Sequence, residues 1–488
     1  MKRTLLLLLM LAPLLSMGQW TIENAQITTT LSQFGTSIAM SDDGLTIAVA
    51  APFANSGAGI VRVYQNNNGS WSQLGSDIVG ETNQDFLGSE EGLTLSLSGD
   101  GTTLALGSQL GDNGPQQNVG KVRVLRYSTG NWSQIGTTIY GNKAFDNLSN
   151  VDLNFDGNTM IIAAPSANSA DDNLFAIGYV KVFEYNATDW QQIGSDFIGT
   201  DEDGYLGTGI SINDDGTIIA FAGDTPVQVY ERNANTWNLK GSPISIPFNI
   251  NSNKLLDLNG SGDIISISNN RASNSNTSIG RVRTLEYSSA TGNWQHLDAI
   301  APETMQDWSE DGLGTAMALS KNANYIAVSI PKNTDNNNAG RIEIYNYNGT
   351  QWVEVFGVTG PTSNQEIGNE PRSLSISANG RCFGIGNPDN QEVTVYCNSA
   401  ILGVNPVADN DKVYITPNPS KNAATIYLQD IYSNVQVSIY NLLGQKVQQA
   451  EFFYNNKLYI NTSKLNTGTY VVKLNMLGKI KTLRLLIE

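Results

Sequence analysis

The chain is 488 residues long and carries a formal charge of -17, with two cysteines and one histidine. That length allows more than one domain, and the acidity argues against nucleic acid or an anionic lipid surface as a partner. The histidine, His296, lies just after Trp294 in a strand-like stretch and reads as a strand residue; sites that need several histidines are excluded, and Ser-His-Asp or Cys-His machinery is disfavoured.

Met1-Lys2-Arg3, the apolar run Leu5 to Leu15 and the small-residue end Ser16-Met17-Gly18 read as a signal peptide over 1–18, cut before Gln19. The run is too short to remain as a membrane span, and no cysteine follows it to take a lipid. No other long apolar run occurs, so no transmembrane segment is expected.

From Phe34 a pattern begins that repeats to about Asn398. Thr36 to Ser41 alternates apolar and polar residues, Asp42-Asp43-Gly44 is a tight turn, and Leu45 to Ala51 is small and apolar like a strand covered on both faces. Ile60 to Tyr64 alternates again, and a fourth strand opens at Trp71. Turn glycines return at Gly101, Gly157, Gly216, Gly262 and Gly380, with Ala323-Asn324 in the remaining slot, and the fourth-strand tryptophan returns as Trp132, Trp190, Trp237, Trp294 and Trp352. One Trp at a fixed strand start suits packing between units better than a row of sugar-stacking surface aromatics.

The last unit lacks its fourth strand, and Gln19-Trp20-Thr21-Ile22 followed by Phe34-Gly35 copies the missing piece. A first strand that completes the last repeat closes a ring. The expected fold is therefore all-β: a seven-bladed β-propeller over 19–398, closed by an N-terminal strand. Cys382 and Cys397 fall on the second and third strands of the closing unit, and pairing Gly386 with Val393 sets them opposite each other, so a disulfide is expected in an exported chain; two unpaired buried thiols are the alternative.

Residues 399–411 read as a linker, and the composition then changes. Residues 412–488 hold nine Lys or Arg against three acidic residues, giving +6; Lys2 and Arg3 add +2, which leaves -25 for 19–411. Short alternating strands between Gly and Asn turns make 412–488 a small Ig-like β-sandwich by pattern, separate from the propeller and not expected to help build its site.

Pro417-Asn418-Pro419, the block Ile439-Tyr440-Asn441-Leu442-Leu443-Gly444-Gln445-Lys446-Val447, the Leu465-x-x-Gly468-x-Tyr470 block and the strand-like end Leu483 to Ile487 resemble the type A C-terminal sorting domain of the type IX secretion system of Bacteroidetes. Family members often have Lys at Arg484 and end in Lys where this chain has Glu488. The resemblance implies the type IX machinery as partner through 412–488, passage across the outer membrane, removal of the domain, and a propeller that is surface-attached or released. Phe34-Gly35 to Ala50-Ala51-Pro52 resembles the FG-GAP repeat of integrin-type propellers, some of which bind calcium. Asp152-x-Asn154-x-Asp156-Gly157 comes nearest to such a calcium loop, but it has no Glu at the twelfth position, and an ordinary strand turn is the preferred reading.

In a four-stranded antiparallel unit the loops from strand two to three and those between units share one face. These are the longer, acidic loops, with Asp171, Asp172 and Asp335 between strands and Asp201, Glu202 and Asp203 between units as binding candidates, and calcium as a possible cofactor. Acidic loops that only keep the protein soluble are an equal alternative. No catalytic residue is singled out. The leading function is a binding or adhesion module for a glycan or a surface protein; the alternatives are a carbohydrate-active enzyme with two carboxylates in the central cleft, or a scaffold without a specific ligand.

Overall fold

The computed structural model describes residues 20–22, 26–67, 69–89, 93–224, 226–245, 255–270, 273–274, 277–278, 280–300, 312–332, 338–363, 365–398, 413–432, 435–441, 445–452, 455–476 and 479–487. The signal peptide at 1–18 and the linker at 399–411 lie outside the described residues, as does Asp335.

The repeat folds into one antiparallel sheet per unit. In the first unit Ile38–Met40, Thr46–Ala51, Ile60–Asn67 and Ser70–Gln73 lie side by side in chain order. Units beginning at Leu95–Leu97, Asn150–Leu153, Gly209–Ile212, Leu256–Leu258 and Met317–Leu319 repeat that order. Every residue of Thr46–Ala51 is buried, which is why the second strand is small and apolar throughout.

The unit of Leu374–Ile376, Cys382–Asn387 and Glu392–Asn398 takes its outer strand from the other end of the chain: Trp20–Ile22 pairs with Glu392–Asn398, setting Trp20 opposite Asn398. Trp71, opposite Asn66, and Trp132, opposite Tyr127, hold the same place in their units. Ile27–Thr28 continues along the same strand just as Ile78–Val79 does in the first unit. Cys382 faces Cys397 in the register with Gly386 opposite Val393, and their sulfurs are bonded.

Each turn between first and second strands is built on a Ser or an Asn. Ser41, Ser98, Asn154, Asn213, Asn259, Ser320 and Ser377 turn a side-chain oxygen back to accept the backbone N–H five residues on, at 2.8 to 3.0 Å. Gly44 takes φ +73° in the first turn, and Ala323 takes +55° in the slot without glycine.

These turns are tied to one another by a circuit of backbone hydrogen bonds. Asp42 N donates to Gly99 O, Asp100 N to Phe155 O, Phe155 N to Asp214 O, Asp214 N to Gly260 O, Gly260 N to Lys321 O, Asn322 N to Ala378 O, and Ala378 N returns to Asp42 O. Their lengths run from 2.8 to 3.2 Å.

The tryptophans stitch the outer strands. The indole N–H groups of Trp132, Trp190, Trp237 and Trp294 each donate to a carbonyl of the preceding unit, those of Leu74, Ile135, Ile193 and Lys240. Gly75 makes room for this packing, since a Cβ there would lie 2.9 Å from Trp132 Cδ1. The sequence reading of these residues as packing between units matches this placement.

Beyond residue 412, Tyr414–Thr416, Ala423–Tyr432 and Asn455–Asn461 form one sheet, and Lys446–Phe452, Val435–Asn441, Gly468–Met476 and Lys479–Ile487 another. Both contribute to a single buried cluster that includes Ile426, Leu458, Val437, Val472 and Leu474.

Candidate functional site

The first strands share an apolar-x-apolar triplet, and the middle residues are Ala39, Ser96, Asp152, Ser211, Asp257, Ala318 and Ser375. Where that residue has an oxygen, it accepts the N–H of the next unit's first strand. Ser96 does so from Leu153, Asp152 from Ile212, Ser211 from Leu258, Asp257 from Leu319 and Ser375 from Met40, at 2.8 to 3.1 Å.

Inside this belt is a cavity of about 90 Å³ that the first strands or turns of successive units line with Asp42, Asp152, Asp214, Asp257, Lys321 and Arg372. Asp42 and Asp214 sit directly after the capping Ser41 and Asn213, where the turn points them to the axis. Asp42 packs on Gly99, whose Cβ, if present, would stand 2.8 Å from the Asp42 carboxyl carbon. Four carboxylates therefore surround Lys321, whose Nζ is 4.0 Å from Asp214 Oδ1.

Charge crowding here shows in the acidities. Burial, then the Asp214 carboxylate, pushes the Asp42 carboxyl up to about 8 against the pull of Lys321. Burial also raises Asp214 and Asp257, each partly offset by Lys321. Burial pulls Lys321 down, but Asp214, Asp152, Asp257 and Asp42 outweigh it and hold the ammonium above its usual value.

Of this acidic axis only Asp152 is a sequence candidate. The sequence offers Asp152, Asn154 and Asp156 as a calcium loop with an ordinary strand turn preferred, and in the structure the three side chains have separate partners. Asp152 belongs to the axial belt; Asn154 Oδ1 caps the turn through Asn158 N and Thr159 N at 3.1 and 2.9 Å. Asp156 gives Oδ1 to Asn158 N and Oδ2 to Lys457 Nζ at 3.1 and 2.9 Å. Among the described residues no group of three or more His, Cys, Asp or Glu side chains is placed to hold a metal ion.

On the opposite face, two of the predicted acidic loops meet. Asp203 N donates to Phe175 O at 2.9 Å and Tyr205 N to Ala176 O at 2.8 Å, so the loop carrying Asp171 and Asp172 lies against the loop of Asp201, Glu202 and Asp203. Hydrogen bonds from Ser169 and Asn173 hold Asp171 below its usual range, and Lys143 does the same for Asp172 as its ion-pair partner. Phe175 is 57% exposed beside them, and Phe145 of the neighbouring unit's loop is 60% exposed. In the adjoining unit Lys121, buried at 2%, bonds Glu81 at 2.7 Å and the fully buried Asp85 at 3.0 Å.

An all-β chain of four-stranded units whose ends meet in one sheet has the fold of a β-propeller. The β-propeller domain of Cps50 (Swd1) from Myceliophteria thermophila superposes with a TM-score of 0.51 at 12% identity, covering 78% of this chain and 99% of that one. A putative 6-phosphogluconolactonase from Bacteroides uniformis gives 0.48 at 14% identity over 86% and 99% of the two chains, and the periplasmic gluconolactonase PpgL of Pseudomonas aeruginosa gives 0.45 at 14% over 70% and 89%. The likeness to Cps50 establishes the fold alone, and the two lactonase superpositions carry no argument about activity. No curated protein matches the chain.

Residues 412–488 match the family described as the secretion system C-terminal sorting domain. The chain is thus type IX cargo, handled by that machinery and secreted across the outer membrane to the cell surface or beyond. No helix among the described residues is long and apolar enough to cross a membrane.

Proposed function

We propose that the chain is an exported binding module: a signal peptide at 1–18, a seven-bladed propeller at 19–398 closed by its own first strand, a linker at 399–411, and an Ig-like sorting sandwich at 412–488. The circuit of turn hydrogen bonds that leaves Asp42 and returns to it supports the blade count. The observation that carries the binding function is the meeting of two acidic loops around the exposed ring of Phe175, an apolar plate rimmed by carboxylates and amides. Such a surface suits a glycan, whose C–H face stacks on the ring while its hydroxyls donate to Asp171 and Asp201–Asp203.

The axial carboxylates favour this reading over hydrolysis. A cavity of about 90 Å³ has the volume of roughly three waters, well below the ~300 Å³ at which small-molecule sites begin. The test is retention of the purified protein on immobilised polysaccharides, with calcium and with chelator, while soluble products are assayed. Retention that Phe175→Ala weakens about tenfold, without product release, is expected. Turnover that persists through purification would replace binding with catalysis, and no retention on any polysaccharide would overturn the glycan reading.

A further inference from the structure

The residues that follow the capping Ser or Asn in the successive turns are Asp42, Gly99, Phe155, Asp214, Gly260, Lys321 and Ala378, the same residues that carry the backbone circuit around the cavity mouth. Phe155 is the one large apolar side chain of that series, standing at the rim of an otherwise polar opening. Such a ring should be wet, yet Phe155 is only 8% exposed.

What covers it comes from beyond the linker. The ring of Tyr414 lies 4.9 Å from Phe155 and that of Tyr427 5.5 Å, and the two tyrosines stack on each other at 5.0 Å. Lys457 Nζ bonds Asp156 Oδ2 at 2.9 Å and lies 5.5 Å from the centre of the Tyr427 ring. Charge agrees with this seating. Asp43, Asp100, Asp156 and Asp215 occupy the next turn position and give the rim an acidic edge, while 412–488 carry +6. Burial, then Lys457, acts on Asp156 in opposite senses, and Lys457 prevails to hold the carboxyl below its usual value.

We propose that residues 412–488, besides directing export, dock on the turn face of their own propeller through Tyr414, Tyr427 and Lys457 and cover the mouth of the acidic axial cavity. The sorting domain then shields Phe155 and the axial carboxylates until it is removed, and its removal exposes a new acidic surface with an aromatic at its rim. This differs from the separation expected from the linker and the charge difference, and it stands whether or not the loops on the far face bind a glycan.

The test uses the full chain from residue 19, in three forms: natural, the double variant Phe155→Glu with Lys457→Glu, and the charge exchange Asp156→Lys with Lys457→Glu. X-ray scattering reports whether the two domains form one body or two tethered ones, and carbodiimide coupling reports contact between Lys457 and Asp156. The natural chain should scatter as one compact body and yield the Lys457–Asp156 cross-linked peptide. In the double variant the docked fraction should fall about tenfold or more, since a buried aromatic contact is replaced by like charges. The charge exchange should restore the compact curve. Two independent bodies in the natural chain, or a charge exchange that stays open while its circular dichroism is native, would overturn the proposal.

Discussion

Closure from the N-terminus can be tested at one side chain. Trp20 is 7% exposed, stacks on Phe356 at 5.5 Å and meets Phe383 edge-on at 5.2 Å, so its ring joins the last sheet to the one before. Trp20→Ala removes the largest side chain of the closing strand. Core Trp→Ala changes cost about 3–5 kcal/mol, and the two aromatic contacts place this site at the middle of that range or above, about 4 kcal/mol or more. Urea unfolding measures it as a lower midpoint at unchanged slope. Trp190→Ala, removing a side chain 6% exposed in mid-ring, is the control for packing alone. Both variants should lose similar stability, but only Trp20→Ala should speed hydrogen exchange at 396–398, whose partners are residues 20–22. A loss under about 1 kcal/mol, or unchanged exchange there, would refute closure by this strand.

Two further predictions concern buried charge. Lys121→Met leaves the fully buried Asp85 without its ammonium partner and should cost about 3–5 kcal/mol, much of it recovered by adding Asp85→Asn; a loss no larger than that of an exposed lysine would show the pair to be unimportant. Asp42 has its folded pKa raised to about 8, so its contribution to stability is complete below the ordinary aspartate pKa near ~4 and is lost as pH rises through about 8. Asp42→Asn should therefore flatten the decline of unfolding free energy between those limits, and an unchanged decline would remove the axial carboxyls as its cause.

The sheets could be read from the sequence because each local signal recurs at the same place. Gly44 and its equivalents and the tryptophan of the fourth strand reinforce one another, and Trp20 betrays the closing strand because it copies Trp71. The acidic axis could not be read in this way. Asp42, Asp152, Asp214, Asp257 and Lys321 come from five different units, and only the circular arrangement brings them together. A local signal did exist: Val151-Asp152-Leu153 and Leu256-Asp257-Leu258 put a carboxylate where the other units have Ala or Ser. Nothing local marks Phe155, since the rings that cover it lie more than 250 positions further along.

Trp20 and Asn398 are neighbours separated by 378 positions. Bringing such distant ends together costs about 5 kcal/mol in loop entropy, and no contact repays it until every intervening unit is in place. During export the strand that seals the ring leaves the cytoplasm 378 positions ahead of its partner. That strand must therefore wait, unpaired, through the passage of every intervening unit, and the final sheet is finished only when Glu392–Asn398 arrives. Pairing first with last makes the ring a record of complete translocation: a chain arrested anywhere short of Asn398 has an open edge for periplasmic proteases to find.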